Sequence, residues 1–177
     1  MTRYSREMRW LHWGVALLVV VQYQLALTFD ELLRADPRGR LESIGSWHVS
    51  IGLVILAGLV ARLWLRVTQG VPPITGPTRW LAHAGHAGIY GLLTVVIVAG
   101  FVRMDASDLT MRLFGLAEVS VFAPDEALRL AARGWHNDAA NALVVLLSVH
   151  VVAAMLHGPI LKDQVLQKML PEPKGDG

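Results

Sequence analysis

The sequence predicts an all-α integral membrane protein, a bundle of four transmembrane helices forming one domain over residues 1–177. Hydrophobic residues make up 54% of the chain and charged residues 17%, against about 25% charged residues in an average soluble protein. Four apolar runs are each long enough, at about 20 residues, to cross a hydrocarbon core as a helix. Four such runs in 177 residues leave too little polar surface for a water-soluble fold.

The four predicted spans have charged residues at their ends and few inside. They cover about residues 8–29, 44–65, 81–102 and 135–161. Arginines precede the first span, as they do in a secretory signal peptide. Its apolar stretch is longer than that of a typical signal and no small-x-small cleavage site ends it, so we expect it to be a mature helix.

Two of the segments between the spans have a distinct character. Residues 66–80 are rich in proline and glycine, which predicts a stiff loop without helix. The longer segment 103–134 includes the stretch PDEALRLAARG at 124–134, which predicts a short surface helix separate from the fourth span.

The distribution of charge predicts the orientation of the bundle. Four spans place both termini and the 66–80 loop on one side, with nine of the 16 basic residues, including all three lysines, and four of the 14 acids. The other side holds seven arginines and nine acids. The positive-inside rule therefore assigns both termini to the cytoplasm. The formal charge of +2 is too small to indicate nucleic-acid binding.

Histidines are the remaining candidates for metal chemistry, because the chain has no cysteine. This excludes disulfide frameworks, thiolate-held Fe–S clusters and covalent c-type haem attachment. Ionisable side chains inside membrane helices are costly and usually functional. The seven histidines lie at His12, His48, His83, His86, His136, His150 and His157.

The spacing of the histidines predicts two pairs at two depths. His136 and His150 are 14 residues apart on the fourth span, which is about 21 Å along a helix and within about 40° of the same direction. His48, near the start of span two, matches the level of His136. His12, near the start of span one, matches the level of His150.

Two stacked imidazole pairs inside a four-helix bundle suit two b-type haems, each iron held by two axial histidines from facing helices. Three roles stay open for His83 and His86: replacing His12 as a ligand, contacting haem propionates, or lying at the membrane interface. A haem-free metal or proton transporter is a remote alternative, because Asp138 is the only acid within the spans. No side chain is predicted to act as a nucleophile, general acid or general base.

Two further residues carry predictions at the cytoplasmic end. His157 follows His150 on span four, where it either contacts a quinone head group or is a polar residue at the membrane interface. Arg62 lies inside the end of span two and either extends its side chain to the surface or pairs with haem propionates.

These residues stand in motifs that resemble the bacterial cytochrome b561 family, over about residues 4–171. The resemblance implies a di-haem cytochrome of the bacterial inner membrane, with His12 and His150 holding the cytoplasmic-side haem and His48 and His136 the periplasmic-side haem. The motifs are YSREMRWLHW, WHVSIGLVILAGLVARLWLR, LAHAGHAGIYGLL and WHNDAANALVVLLSVHVVAAMLHGPILKDQVLQKMLP.

The resemblance also implies a function. Members of the family move electrons across the inner membrane between a periplasmic donor, such as superoxide, and ubiquinone, as a superoxide:ubiquinone oxidoreductase does. The alternative is a membrane-anchor subunit that relays electrons for a hydrogenase or dehydrogenase partner. A superoxide site needs local positive charge to attract the anion. The predicted periplasmic side carries more acids than bases overall, so such a site requires several of its arginines to lie close together.

Overall fold

The computed structural model describes residues 3–32, 37–73, 79–157, 160 and 165–170. Within these residues the chain forms helices and one short antiparallel hairpin. In order along the chain the elements are α1 (Arg6–Leu32), α2 (Pro37–Gln69), α3 (Arg79–Asp105), β1 (Arg112–Leu113), β2 (Ala117–Glu118), α4 (Glu126–His157) and α5 (Val165–Met169).

The four long helices correspond to the four predicted spans, and each is long and apolar enough to cross a membrane. They contain 27, 33, 27 and 32 residues. At about 1.5 Å per residue even the shortest reaches roughly 40 Å, more than the roughly 30 Å hydrocarbon core. Their ends therefore extend beyond the hydrocarbon into the headgroup regions.

The separate surface helix predicted at 124–134 is wrong, because this stretch forms the first turns of α4. The carboxylate of Asp125 accepts a hydrogen bond from the Leu128 N–H (3.0 Å) and caps the helix start. No proline follows before the apolar part of the helix, so nothing interrupts it. Gly134, the one glycine in α4, is tolerated within the helix.

The predicted helix-free loop at 66–80 is also shorter than expected, because α2 continues to Gln69. The helix ends at Gly70, whose φ of 71° is the left-handed conformation that terminates many helices. Residues 70–73 are not helical, and residues 74–78 lie outside the described part of the chain.

The helices pack as two close pairs. α3 lies against α4 along most of its length and α1 lies against α2, while α2 also contacts α3. In the described residues the backbone of α4 approaches α1 and α2 much less closely than it approaches α3. All four long helices nevertheless share one apolar core. Its buried members are Val15, Ile55, Leu59, Leu93 and Leu143.

Different elements pack at the two ends of the bundle. On the side where α1 begins, here called the terminal side, α5 packs against α1: the indole N–H of Trp13 donates to the Met169 carbonyl (3.0 Å). On the opposite side, here called the hairpin side, residues 111–119 form a hairpin in which Arg112 pairs with Glu118. Its turn contains two residues with positive φ, Phe114 (54°) and Gly115 (72°).

Candidate cofactor site

Two histidine rings meet on the hairpin side, and we call them the two-histidine site. His48 of α2 and His136 of α4 have ring centres 6.2 Å apart, with their planes inclined by 69°. Two imidazoles that share one metal ion have ring centres roughly 6 Å apart, because each metal–nitrogen bond is about 2 Å. The spacing of the two rings therefore suits a metal ion held between them.

The ring of His136 is oriented by a backbone group of α3. Its Nδ1 lies 2.8 Å from the carbonyl oxygen of Val96. Since a carbonyl only accepts hydrogen bonds, Nδ1 carries the hydrogen and donates it, which leaves the Nε2 lone pair free for a metal. Gly100 makes this approach possible, because a Cβ at that position would lie 2.8 Å from the same Nδ1.

The surroundings of His48 contain buried polar atoms without partners. Its Nδ1 and the amide oxygen of Gln22 are both buried and have no hydrogen-bond partner in the described residues. The amide nitrogen of Gln22 donates to the His48 carbonyl (2.6 Å), and the ring of Phe29 contacts the imidazole edge-on at 5.6 Å. A buried polar group left unpaired costs about 1–3 kcal/mol, which is typical of a site built for a ligand.

A cavity of about 120 Å³ opens between the rings of this site. Its walls are mostly apolar and include the small residues Gly52, Gly100 and Ala140. Ligand pockets usually have about 300–1,000 Å³, so a porphyrin enters only if the apolar side chains between α2 and α4 move apart.

Three histidine rings meet on the terminal side, and we call them the three-histidine site. The ring of His150 on α4 lies 6.4 Å from that of His12 on α1 and 5.6 Å from that of His86 on α3, centre to centre. The structure thus places together the two rings that the spacing paired and one of the two open alternatives. His83 is exposed.

Arg62 sets the hydrogen-bonding state of His12. Its Nη1 lies 2.7 Å from the Nδ1 of His12. A guanidinium only donates, so Nδ1 accepts, and a neutral ring then carries its hydrogen on Nε2. His136 has the other tautomer, with its hydrogen on Nδ1. A metal bond from Nε2 of His12 requires that the Arg62 hydrogen bond be replaced.

His157 continues the line of histidines toward the terminal side. It follows His150 by seven residues on α4, which places it about 10 Å further along and within about 20° of the same face. Its side chain is half-buried. This position suits a group that contacts a ligand at the edge of the bundle.

One arginine lies near the two-histidine site, and two more lie near that arginine. Arg103 of α3 is close enough to interact electrostatically with both rings of that site and with Arg129 and Arg133 of α4. Arg112 of the hairpin instead pairs with Glu118 (3.8 Å). Arg129 likewise pairs with Glu126 (2.6 Å), so Arg103 and Arg133 supply the positive charge near the site, although this side of the molecule holds more acids than bases.

Comparison with known proteins identifies the family. The model of the prokaryotic cytochrome b561 family matches residues 3–172. The chain belongs to this family. As a member it is an integral membrane protein of the b-type haem class, and the paired imidazoles are a donor set that suits haem iron.

Three relatives support this assignment. The chain is 28% identical over 177 residues to "Probable superoxide oxidase CybB" of Yersinia pestis, covering 98% of both chains. It is 31% identical over 170 residues to "Cytochrome b561 homolog 2" of Escherichia coli K12, covering 93% of this chain and 89% of the relative. It is 32% identical over 173 residues to "Cytochrome b562" of Cereibacter sphaeroides, covering 94% of both chains.

Proposed function

We propose that this protein holds two b-type haems inside the bundle and transfers electrons between a periplasmic donor and ubiquinone. The proposed axial ligands are His48 with His136 at one haem and His12 with His150 at the other. The observation that carries the proposal is the pairing of rings at ligand spacing at two depths of α4, 6.2 and 6.4 Å between centres. The haems supply one-electron redox chemistry, and the chain supplies orientation and a dry environment.

The two haem sites would be held differently by the residues around them. At the two-histidine site the Val96 carbonyl keeps His136 in the tautomer that a metal needs. At the three-histidine site we propose that Arg62 leaves His12 and pairs with a haem propionate. Its Nε is buried without a partner in the described residues, and a carboxylate would satisfy the guanidinium better than an imidazole does.

We propose superoxide as the donor and the hairpin side as the periplasmic face. Supporting this, Arg103 is close enough to interact electrostatically with both rings of the two-histidine site and with Arg133, and a local positive field attracts a small anion. The larger share of lysine and arginine on the terminal side supports a cytoplasmic face there, in the bacterial inner membrane. His157 is the proposed contact to the ubiquinone head group.

The test uses purified protein in nanodiscs that contain a ubiquinone analogue. We expect two non-covalent b haems per chain, reduced on addition of superoxide, with electrons then appearing on the quinone. Arg133→Gln should slow reduction by superoxide several-fold, most clearly at low salt, because one charge of the attracting cluster is lost. Arg112→Gln removes an equal charge from the hairpin and is the control.

Two results would contradict this proposal. Haems that superoxide does not reduce would indicate a relay subunit for a hydrogenase or dehydrogenase partner. Protein that binds no haem after reconstitution would overturn the assignment of the histidines and favour a transporter.

A further inference from the structure

The hairpin is seated on a face of α2 that points away from the cofactor site. The hydroxyl oxygens of Ser46 and Ser50 accept hydrogen bonds from the backbone N–H groups of Arg112 (2.9 Å) and Phe114 (2.8 Å). Each serine is two residues from His48, or about 200° around the helix. The hairpin therefore lies outside the bundle, where a transmembrane helix would otherwise contact lipid.

The depth of the hairpin can be measured along α2. This helix has no charged residue between Glu42 and Arg62, a stretch of about 28 Å that matches the hydrocarbon thickness. Half-exposed Trp47 marks the interface on the hairpin side. Ser50 lies about 12 Å below Glu42 and about 4.5 Å below Trp47 along the axis, so the backbone of Phe114 bonded to it is just inside the hydrocarbon.

The side chains of the turn are apolar. Leu116 is 88% exposed and Phe114 is 43% exposed, whereas turns in water favour glycine, asparagine, aspartate and serine. Phe114 also has a φ of 54°, a conformation that costs a side-chain-bearing residue about 1–2 kcal/mol. The two charged residues, Arg112 and Glu118, pair at the opposite end of the hairpin.

The backbone of the turn has internal partners. The N–H of Gly115 donates to the Arg112 carbonyl (3.3 Å) and that of Leu116 to the Leu113 carbonyl (3.0 Å). Irregular backbone is tolerated at hydrocarbon depth only when its polar groups are satisfied within the protein. Four N–H groups of the hairpin meet that condition: those of Gly115 and Leu116 within the turn, and those of Arg112 and Phe114 at the two serines.

We propose that the tip of the hairpin, residues 114–116, inserts into the membrane leaflet on the hairpin side and is covered by lipid acyl chains. Arg112 and Glu118 then lie at the headgroup level. The membrane contact fixes the hairpin against α2, on the outside of the helix that contributes His48. This proposal does not depend on the haem assignment, because it rests on the hairpin and α2 alone.

The absence of native cysteine allows a direct test. Leu116→Cys and Ala123→Cys variants are labelled with the same small environment-sensitive fluorophore, and the full-length proteins are placed in nanodiscs. Both positions are exposed in the structure, so neither substitution disturbs packing. Ala123 lies in the loop beyond the hairpin and is the matched control. Quenching is then measured with aqueous iodide and with nitroxides attached at defined depths on lipid acyl chains.

We expect the label at Leu116 to be quenched strongly by the lipid nitroxides and several-fold less by iodide than the label at Ala123. Equal quenching of both labels by iodide would show that the tip lies in water and would overturn the proposal. Protection of the Leu116 label from both quenchers would also overturn it, because the occupant would then be protein. Crosslinking between Leu116→Cys chains would identify a second copy as that occupant.

Discussion

The two-histidine site and the three-histidine site lie on the same helix, yet their rings are held in different ways. His136 donates to a backbone carbonyl, which leaves its other nitrogen ready to bind a metal. His12 accepts from Arg62, and His86 is nearer to His150 than His12 is. In the first site one ring is already oriented with a free Nε2 lone pair. The second must exchange a hydrogen bond and select between two rings.

This difference suggests an order of haem binding. Where a ligand ring already has the tautomer that a metal needs, binding requires no exchange of its hydrogen bond and loses less free energy at that ligand. The two-histidine site should therefore fill first and hold its haem more tightly. The following predictions test this contrast, beginning with the largest expected effect.

The His136→Ala variant should lose the haem of the two-histidine site completely, because one axial ligand and its orienting hydrogen bond disappear together. Haem content should fall from two per chain to one, measured by haemochrome assay and by reduced-minus-oxidised spectra. His83→Ala is the control, because His83 is exposed. Unchanged haem content in His136→Ala would contradict the ligand assignment.

Two variants test whether His12 or His86 is the ligand at the three-histidine site. His12→Ala should remove one haem, whereas His86→Ala should keep both, because we assign the ligand role to His12. The remaining spectrum of His12→Ala should be that of the two-histidine site. The reverse pattern, with haem lost from His86→Ala only, would transfer the ligand role to His86.

Gly100→Ala should weaken haem binding at the two-histidine site without abolishing it. The new methyl group would lie 2.8 Å from Nδ1 of His136, and such overpacking typically costs about 1–3 kcal/mol. Faster haem transfer to an acceptor protein would measure the effect. Gly91→Ala on the same helix is the matched control, because a Cβ there meets no other atom within 4 Å, and its transfer rate should equal the wild-type rate.

Arg62→Gln should change only the three-histidine site, and modestly. Loss of a nearby positive charge favours the oxidised iron, so the midpoint potential of that haem should fall by some tens of millivolts. Potentiometric titration should show the other haem unchanged. Arg112→Gln removes an equal charge far from this site. A shift of both haems in Arg62→Gln would indicate a global change in the bundle.

Much of the architecture could be predicted from the sequence, because the signals are periodic or local. Four apolar runs predict four spans, and a 14-residue interval predicts two histidines on one face of one helix. The comparison with known proteins confirms the family. The ligand roles of the histidines stay predictions, although the structure brings the rings together in the expected pairs.

The residues that could not be found from the sequence are those of one helix that interact with a side chain of another helix. Val96 supplies a backbone carbonyl, and no side-chain pattern marks such a group. The available signal was Gly100, one turn later, where a missing side chain lets a ring approach the backbone. Arg103 of α3 lies near Arg129 and Arg133 of α4 because the two helices pack closely. A count of charges along the sequence does not show which helices pack together.

The helices extend beyond the predicted membrane spans for a related reason. Hydrophobicity marks where a helix is in lipid, not where it ends. α4 begins at Glu126, nine residues before the predicted start of its span, because its first turns lie beyond the hydrocarbon and are capped by Asp125. Local capping and the absence of proline, not hydropathy, determine that boundary.

The position of α4 in the chain has a consequence for biosynthesis. Both histidine sites draw a ring from α4, which is the last of the four long helices to leave the ribosome. Until it is made, His12, His48 and His86 have no partner on that helix. The first three long helices are therefore made before their imidazoles can meet a ring from α4, and neither site can be assembled until α4 has been synthesised.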